Sequence, residues 1–413
     1  MDGGDNLELP TLGRGTHSLV RGDGKIARKY LTCMDAAIRE VWATSLLDHP
    51  SIIKFDSIEW AISSTDAAAD APAAVLTMPQ MTPLREWIAA KPAPADIIRF
   101  IHDMGQALQH LQRRQVIHCD IKPANILMDA DGRAVICDFS ASAPLIYSHN
   151  SRYEAFYAFS YRPPEMNSAT KQLSVYSLSD VWAFGCTVAD IFGIPFIGVS
   201  STPENLLDST EYICRAMGVK PRTTTSARIS QLRSLSAATI EQAVRRRYEI
   251  VVEDKFRSDP EMGIAVMRLL VRCLTCDPKR RFTPSNIINL LAIIPGIDKI
   301  IPGYRSVPDF APTTDIWWRP QKVSISPLTK YWVGKHTEKT ALAAVINRAY
   351  ELVMANCDDL PCAHDVIFIA CCKIVHIAAG LPWKCRNNIA AAVDKMVPAI
   401  VGRIDIAAII DGE

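Results

Sequence analysis

Apolar residues recur along the chain at two spacings, and the switches between them mark out its elements. From residue 9 to 31 they alternate in short runs around glycine turns, the period-two pattern of half-buried strands. Gly22-Asp23-Gly24 is a tight turn within this region. Residues 35 to 42 favour a helix, with Asp35 placed as its N-cap. Residues 63–74, rich in Ala, Ser, Asp and Pro, read as a disordered loop, and residues 75–81 as a strand that runs into an extended stretch. From about 96 to 115, Ile97, Ile101, Met104, Leu108 and Leu111 fall at helical spacing and predict a helix facing a core. Val116-Ile117 and Ile126-Leu127 are short apolar runs on either side of a polar loop. Helical periodicity returns over 341–354, 364–379 and 387–400, interrupted by Pro361 and by Gly380-Leu381-Pro382.

Composition adds limits to this outline. A chain of 413 residues, 49% hydrophobic and 22% charged, is globular and long enough for more than one domain. A net charge of +1 gives no reason to expect nucleic acid or an anionic membrane as the main partner. The most apolar segment, residues 365–381, carries Lys373 and His376 at its middle, which argues against a membrane span. Prolines outnumber glycines, 26 to 19, and Pro302, Pro308, Pro312, Pro320 and Pro327 make residues 299–327 a semi-rigid linker. Trp317-Trp318 within it is expected to dock on a neighbouring domain. The N-terminus is polar, and the 12 cysteines are scattered, so free thiols and an intracellular setting, cytoplasmic or nuclear, are expected. Cys273 and Cys276 form a lone C-x-x-C without the second pair a metal site needs. Arg245-Arg246-Arg247 reads as a solvated helix face.

The polar loop carries the candidate chemistry. In His118-Cys119-Asp120-Ile121-Lys122-Pro123-Ala124-Asn125 an Asp, a Lys and an Asn are presented together between the apolar runs. That set suits phosphoryl transfer from a nucleotide: the carboxylate accepts a hydroxyl proton, the ammonium neutralises the moving phosphate, and the amide oxygen serves a metal ion.

The loop resembles the catalytic loop of eukaryotic-type protein kinases, with Cys119 where most have Arg. Other segments resemble the same family in the same order. Leu12-Gly13-Arg14-Gly15 through Val20 is similar to the phosphate-covering glycine loop, with Ser18 replacing its third glycine. Ala27-Arg28-Lys29 is similar to the strand lysine motif, and Glu40 is the implied partner of Lys29. Val135-Ile136-Cys137-Asp138-Phe139-Ser140 matches the metal-binding Asp-Phe-Gly with Ser for Gly. Tyr161 to Glu165 resembles the Ala-Pro-Glu closure, Asp180 to Cys186 the helix supporting the catalytic loop, and Asp277 to Thr283 the segment of the late Arg. Glu165 and Arg281 are then an implied buried pair. Ala37-Ile38-Arg39-Glu40 with the later His49-Pro50-Ser51-Ile52-Ile53 resembles cyclin-dependent kinases in particular.

The resemblance implies an α+β, bilobal kinase domain over 1–298, with a small β-rich N-lobe at about 9–80 and a larger helical C-lobe at about 81–298. It implies ATP and Mg²⁺ as cofactors and a protein as substrate. Asp120, Lys122, Lys29 and Glu40 would be catalytic. Leu12, Gly13, Arg14, Gly15, Val20, Ala27, Lys29, Thr77, Met78, Gln80, Leu127 and Asp138 would surround ATP, with Thr77 controlling access to the back of the pocket. Asn125 and Asp138 would hold the metal. Lys122 points to Ser/Thr rather than Tyr as acceptor, and Arg162 beside Phe156 and Tyr157 is compatible with proline-directed substrates.

Several positions depart from the family. The arginines that dock an activating phosphate correspond to Arg39, Cys119 and Ala143, so two of three are lost, and Tyr153 occupies the usual phosphothreonine position. Control by activation-segment phosphorylation is therefore not expected. Ala158 replaces a Thr that bridges the catalytic Asp and Lys, and His17 beside Thr16 replaces an inhibitory Tyr. The helical region 328–413 resembles a cyclin box through Val345-Ile346-Asn347-Arg348, Ile369 to Lys373 and Ala392 to Lys395. This would bring Lys373 and Asp394 to the Ile38–Glu40 helix and make the chain a kinase fused to its activator. The other reading of 328–413 is a small helical bundle. For the whole chain, the competing class is a pseudokinase that binds partners without efficient phosphoryl transfer.

Overall fold

The computed structural model describes residues 9–15, 18–60, 72, 74–114, 116–144, 158–167, 173–197 and 209–308. The expected helices of 328–413, with Lys373 and Asp394, lie outside them, as do Thr16, His17, Tyr153, Phe156, Tyr157 and Trp317-Trp318. Two compact units divide the described chain, changing over at Leu46/Leu47, Ile53/Lys54 and Gln80/Met81.

The first unit is a five-stranded antiparallel sheet with one helix. Its strands are β1 (Thr11–Arg14), β2 (Ser18–Gly22), β3 (Ile26–Leu31), β4 (Ser57–Trp60) and β5 (Ala74–Pro79), in the order β1-β2-β3-β5-β4, and α1 (Met34–Leu46) follows β3. Ala74 begins β5, so the expected 63–74 loop overran by one residue at this end. Asp35 lies within α1 rather than capping it. In β3 burial alternates, with Ala27, Lys29 and Leu31 inward and Ile26 and Arg28 outward. The lysine is therefore carried inward by strand periodicity. At the β2–β3 turn Asp23 Oδ1 accepts the N–H groups of Lys25 and Ile26, at 2.9 and 2.8 Å. The Gln80 side chain accepts the Gly24 N–H at 2.8 Å. A Cβ on Gly22 would lie 2.9 Å from the Ile26 carbonyl oxygen, a backbone approach that favours glycine.

The second unit is mostly helical. It begins with β6 (Thr82–Pro83), α2 (Leu84–Ala89) and α3 (Pro94–Arg113), then β7 (Val116–Ile117), β8 (Ile126–Met128), β9 (Ala134–Ile136) and β10 (Ala143–Pro144). After these come α4 (Leu173–Ile191), α5 (Thr210–Ala216), α6 (Thr225–Arg233), α7 (Ala237–Lys255), α8 (Pro260–Cys273), α9 (Pro284–Leu290) and α10 (Ile297–Ile300). Strands β6, β8 and β9 form one small sheet and β7 pairs with β10, so the polar loop is held between two pieces of sheet. Helix α3 starts two residues before the expected 96. Pro94 suits the first helical position, where no N–H partner is needed, and Asp96 accepts the Ala93 N–H at 3.2 Å. Its apolar face, including Ile97, Ile101, Met104, Leu108 and Leu111, is buried as the spacing predicts.

Helix α4 forms the centre of this unit, with every residue from Ser179 to Ala189 buried. It packs so closely on α8 that a Cβ on Gly185 would lie 2.7 Å from Cys273 Cβ. Beside it Glu165 and Arg281 pair at 2.6 and 2.9 Å with both side chains fully buried. Arg281 also donates to the Thr275 and Leu178 carbonyls. Burial opposes the guanidinium charge, but the Glu165 carboxylate outweighs it and raises the Arg281 pKa. Removing either partner alone would strand a buried charge, worth about 3–5 kcal/mol. The Cys273 and Cys276 thiols are buried, which raises both pKa values and keeps them protonated.

The segment Leu47–Ile53 belongs to this unit, joined to β9 by the Ile53 N–H to Ile136 C=O bond at 2.9 Å and the Ile136 N–H to Ser51 C=O bond at 2.9 Å. Residues 299–308, expected as the start of the linker, are packed onto the unit. Tyr304 Oη donates to the Ile288 carbonyl, and Asn289 and Val307 exchange two hydrogen bonds, all at 2.8 Å. The prolines suggested an extended connector, but Tyr304 and Ile301 supply anchors that a proline count does not register. On α7 Arg245 and Arg246 are exposed and Arg247 is half-buried; Arg245 pairs with Glu241 and Glu249, and Arg247 reaches the Pro195 carbonyl. Among the described residues no helix is long and apolar enough to cross a membrane.

Candidate active site

In the first unit the expected pair is formed. Lys29 Nζ lies 2.9 and 2.7 Å from the two Glu40 carboxylate oxygens, with side-chain exposures of 6% and 1%. Charges this buried need such compensation, because an unpaired ion would lose its hydration without replacement. The register places Val20 and Leu76 opposite Lys29 on the neighbouring strands, and Gly22 and Met78 opposite Ala27. Gly13 pairs with Val20 across a β-bulge that sets Leu12 out of register. Gly13, Val20, Ala27, Lys29 and Met78 thus share one face, while Leu12 and Arg14 are exposed and Gly15 begins the turn with an N–H bond to the Ser18 carbonyl.

Thr77 requires a correction. It pairs with Arg28, so the two-residue period turns it to the face opposite Lys29. Met78 occupies the lysine's face instead. Matching the motif by residue count gave a position one residue away, and a shift of one reverses a strand side chain.

In the second unit the polar loop is built around buried carboxylates. Asp180 of α4 accepts the backbone N–H groups of His118 and Cys119, at 2.8 and 3.1 Å. Cys119 adopts a left-handed φ of 63° and is buried. The His118 ring then links two segments: Nδ1 accepts the Asp120 N–H at 3.2 Å and Nε2 is 3.0 Å from the Cys137 carbonyl. This arrangement requires a neutral imidazole protonated on Nε2. Phe139 packs edge-on against it, with centroids 4.7 Å apart.

These contacts present Asp120. Its Oδ2 accepts from Lys122 Nζ at 2.5 Å and Asn125 Nδ2 at 2.8 Å, and its Oδ1 from the Ala158 N–H at 3.3 Å. Burial raises the Asp120 pKa above the ordinary carboxylate value, and Lys122 opposes the rise. A carboxylate whose pKa is raised in this way is a better proton acceptor than an exposed one. The Ala158 backbone donates to this carboxylate although it has no Thr hydroxyl.

Asn125 uses Nδ2 for both the Asp120 carboxylate and the Asp120 carbonyl, which leaves its amide oxygen as the acceptor end. The Cys137 N–H bonds the Asn125 carbonyl at 3.0 Å, tying Asp138 beside Asn125. Asp138 has a φ of 64°, and its Oδ1 accepts from Ser140 Oγ at 2.6 Å. An amide oxygen and a carboxylate are hard donors that fit Mg²⁺, whose remaining ligands are commonly waters and phosphate oxygens. Leu127 lies on β8 immediately after Asn125.

One feature was missed. Tyr161 Oη donates to Asp190 at 2.6 Å, and burial, then the carboxylate, raise the tyrosine pKa. The available signal was Asp190 as a charged residue in the otherwise uncharged second half of α4.

Comparison with known proteins supports the same conclusion. The family model described as "Protein kinase domain" matches residues 24–291. Mitogen-activated protein kinase 18 of Arabidopsis thaliana is 29% identical over 262 residues, covering 61% of this chain and 39% of that protein. Mitogen-activated protein kinase 7 of Oryza sativa subsp. japonica is 28% identical over 266 residues, 62% of this chain and 43% of the relative. Cyclin-dependent kinase D-1 of Oryza sativa subsp. indica is 30% identical over 198 residues, 48% of this chain and 43% of the relative. The chain thus spans less than half the length of these relatives, and similar identities to both groups do not separate them.

The raised Asp120 pKa has a stability consequence. The folded state holds the Asp120 proton more tightly than the unfolded chain, so ionisation at neutral pH opposes folding, and this opposition vanishes below the unfolded value of about 3.9. Asp120→Asn should therefore melt at or above the unsubstituted temperature at pH 7, with the difference shrinking toward pH 4. A loss of several degrees at pH 7 would contradict this.

Proposed function

The chain belongs to the protein kinase domain family, and from that membership we propose that it is a serine/threonine protein kinase of the cyclin-dependent-kinase-like type. The observation that carries the reading is the Asp120 carboxylate held by Lys122, Asn125 and the Ala158 N–H, with Asp138 tied beside Asn125. Asp120 accepts the proton of the substrate hydroxyl as the hydroxyl oxygen attacks the terminal phosphorus of ATP, the bond from that phosphorus to its bridging oxygen breaks, and ADP leaves. Lys122 balances the charge gathering on the transferred group. Lys29, fixed by Glu40, binds the nucleotide phosphates, and the β1–β2 turn from Leu12 to Gly15 covers them. Val20, Ala27, Met78, Gln80 and Leu127 contact the nucleoside, with Met78 rather than Thr77 limiting the back of the pocket. Asn125 and Asp138 hold Mg²⁺, which when bound neutralises phosphate charge. Lys122 favours Ser/Thr acceptors, and Arg162 is compatible with a proline after the acceptor.

The departures bear on regulation. Cys119 is buried and uncharged, so it offers an activating phosphate no partner at the position of a guanidinium. Control then rests with residues 328–413, read as a cyclin-like domain whose Lys373 and Asp394 contact the Ile38–Glu40 helix. Tethering would supply that contact at an effective concentration of about millimolar. The kinase domain is taken as 1–298 and 299–327 as the connector, with residues 299–308 of that connector packed on the second unit, and the protein as intracellular.

Two outcomes are expected. Transfer of labelled γ-phosphate from ATP to Ser and Thr of a generic protein should require Mg²⁺ and fall at least about 100-fold in Asp120→Asn. Equal transfer by both proteins would instead indicate a binding module. Phosphatase treatment should leave activity intact, whereas removal of residues 325–413 should reduce kcat sharply. Full activity in the truncated protein would refute activation in cis.

A further inference from the structure

Ser140 stands where the family has glycine, and its hydroxyl makes a bond that glycine cannot. Oγ donates to Asp138 Oδ1 at 2.6 Å. The turn that brings the two together is well held. Phe139 is fully buried against His118, Ser142 N–H bonds the Phe139 carbonyl at 3.0 Å, and Asp138 takes a φ of 64°. The last torsion of an aspartate is broad, and each hydrogen bond that its carboxylate accepts narrows the range of orientations. A short hydroxyl-to-carboxylate bond is charge-assisted and narrows that range before any ligand arrives.

We propose that Ser140 is a positioning residue for divalent-cation binding, holding the Asp138 carboxylate in the orientation that receives Mg²⁺ with the nucleotide. This rests on the reading of Asp138 as a cation ligand. With the hydroxyl on Oδ1, ligation through a single oxygen is favoured. That suits the compact octahedral shell of Mg²⁺ better than Ca²⁺, which readily takes both oxygens of a carboxylate. The substitution of glycine in the motif is thus a gain of support for the metal ligand.

The test is binding of a fluorescent ATP analogue to the full chain, titrated with Mg²⁺ or Ca²⁺ and measured in EDTA. The proteins are the unsubstituted chain, Ser140→Ala, Ser140→Gly and Ser140→Thr. In EDTA all four should bind nucleotide alike, a readout that also establishes that each variant is folded. The Mg²⁺ concentration giving half-maximal enhancement should rise about 10-fold in the Ala and Gly variants, as for loss of a partner supporting a metal ligand. Ser140→Thr, which keeps the hydroxyl, should restore it, and the preference for Mg²⁺ over Ca²⁺ should narrow only in Ala and Gly. An unchanged Mg²⁺ requirement in Ser140→Ala and Ser140→Gly would overturn the proposal while leaving the cation site intact. Absence of any Mg²⁺ effect in the unsubstituted protein would overturn the site reading and the proposal together.

Discussion

The polar loop depends on one buried carboxylate. Asp180 sits in the apolar centre of α4, where an ionised group is stable only if hydrogen bonds replace its water, and the N–H groups of His118 and Cys119 do so. Satisfying two consecutive N–H groups with one carboxylate fixes the chain direction at that point and accompanies the left-handed backbone of Cys119. The next residue is Asp120. Its N–H is taken by His118, whose other nitrogen fixes the Cys137 carbonyl one residue before Asp138. A single anchor in α4 therefore sets the places of both the proposed base and the proposed metal ligand.

Around that anchor the departures from the family are accommodated with Asp120 and Asp138 still held. Cys119 is an apolar filler in a buried site. Ala158 still donates to Asp120, through its backbone. Ser140 adds a bond to Asp138. None of these leaves Asp120 or Asp138 unsupported, which fits a working catalytic loop better than a scaffold that has shed its chemistry. The buried Glu165–Arg281 pair holds the closure segment independently of them.

The parts legible in the sequence were those fixed by short-range rules. Strand alternation turned Lys29 inward, helical spacing buried the face of α3, and the apolar runs beside the polar loop became β7 and β8. Contacts between distant segments were legible only where the family supplied them, as for Lys29–Glu40 and Glu165–Arg281. The pairing of Tyr161 with Asp190 and of Asn289 with Val307 depends on how helices pack, which periodicity does not specify. Thr77 shows the sensitivity of strands to a one-residue error, since its register with Arg28 reverses the face its motif position suggested. The start of α3 and the continuation to residue 308 were displaced for local reasons, a proline that suits a first helical turn and a tyrosine that anchors a proline-rich stretch.

The most direct measurement of the central claim is amide hydrogen exchange at His118 and Cys119 in Asp180→Asn. An amide in place of the carboxylate offers one acceptor oxygen where the loop needs two. If Asp180 sets the loop, exchange at these two positions should quicken by about 10-fold or more, the scale of a lost charged hydrogen bond, while the amides of α3 stay protected. Unchanged protection at His118 and Cys119 in the folded variant would contradict the account.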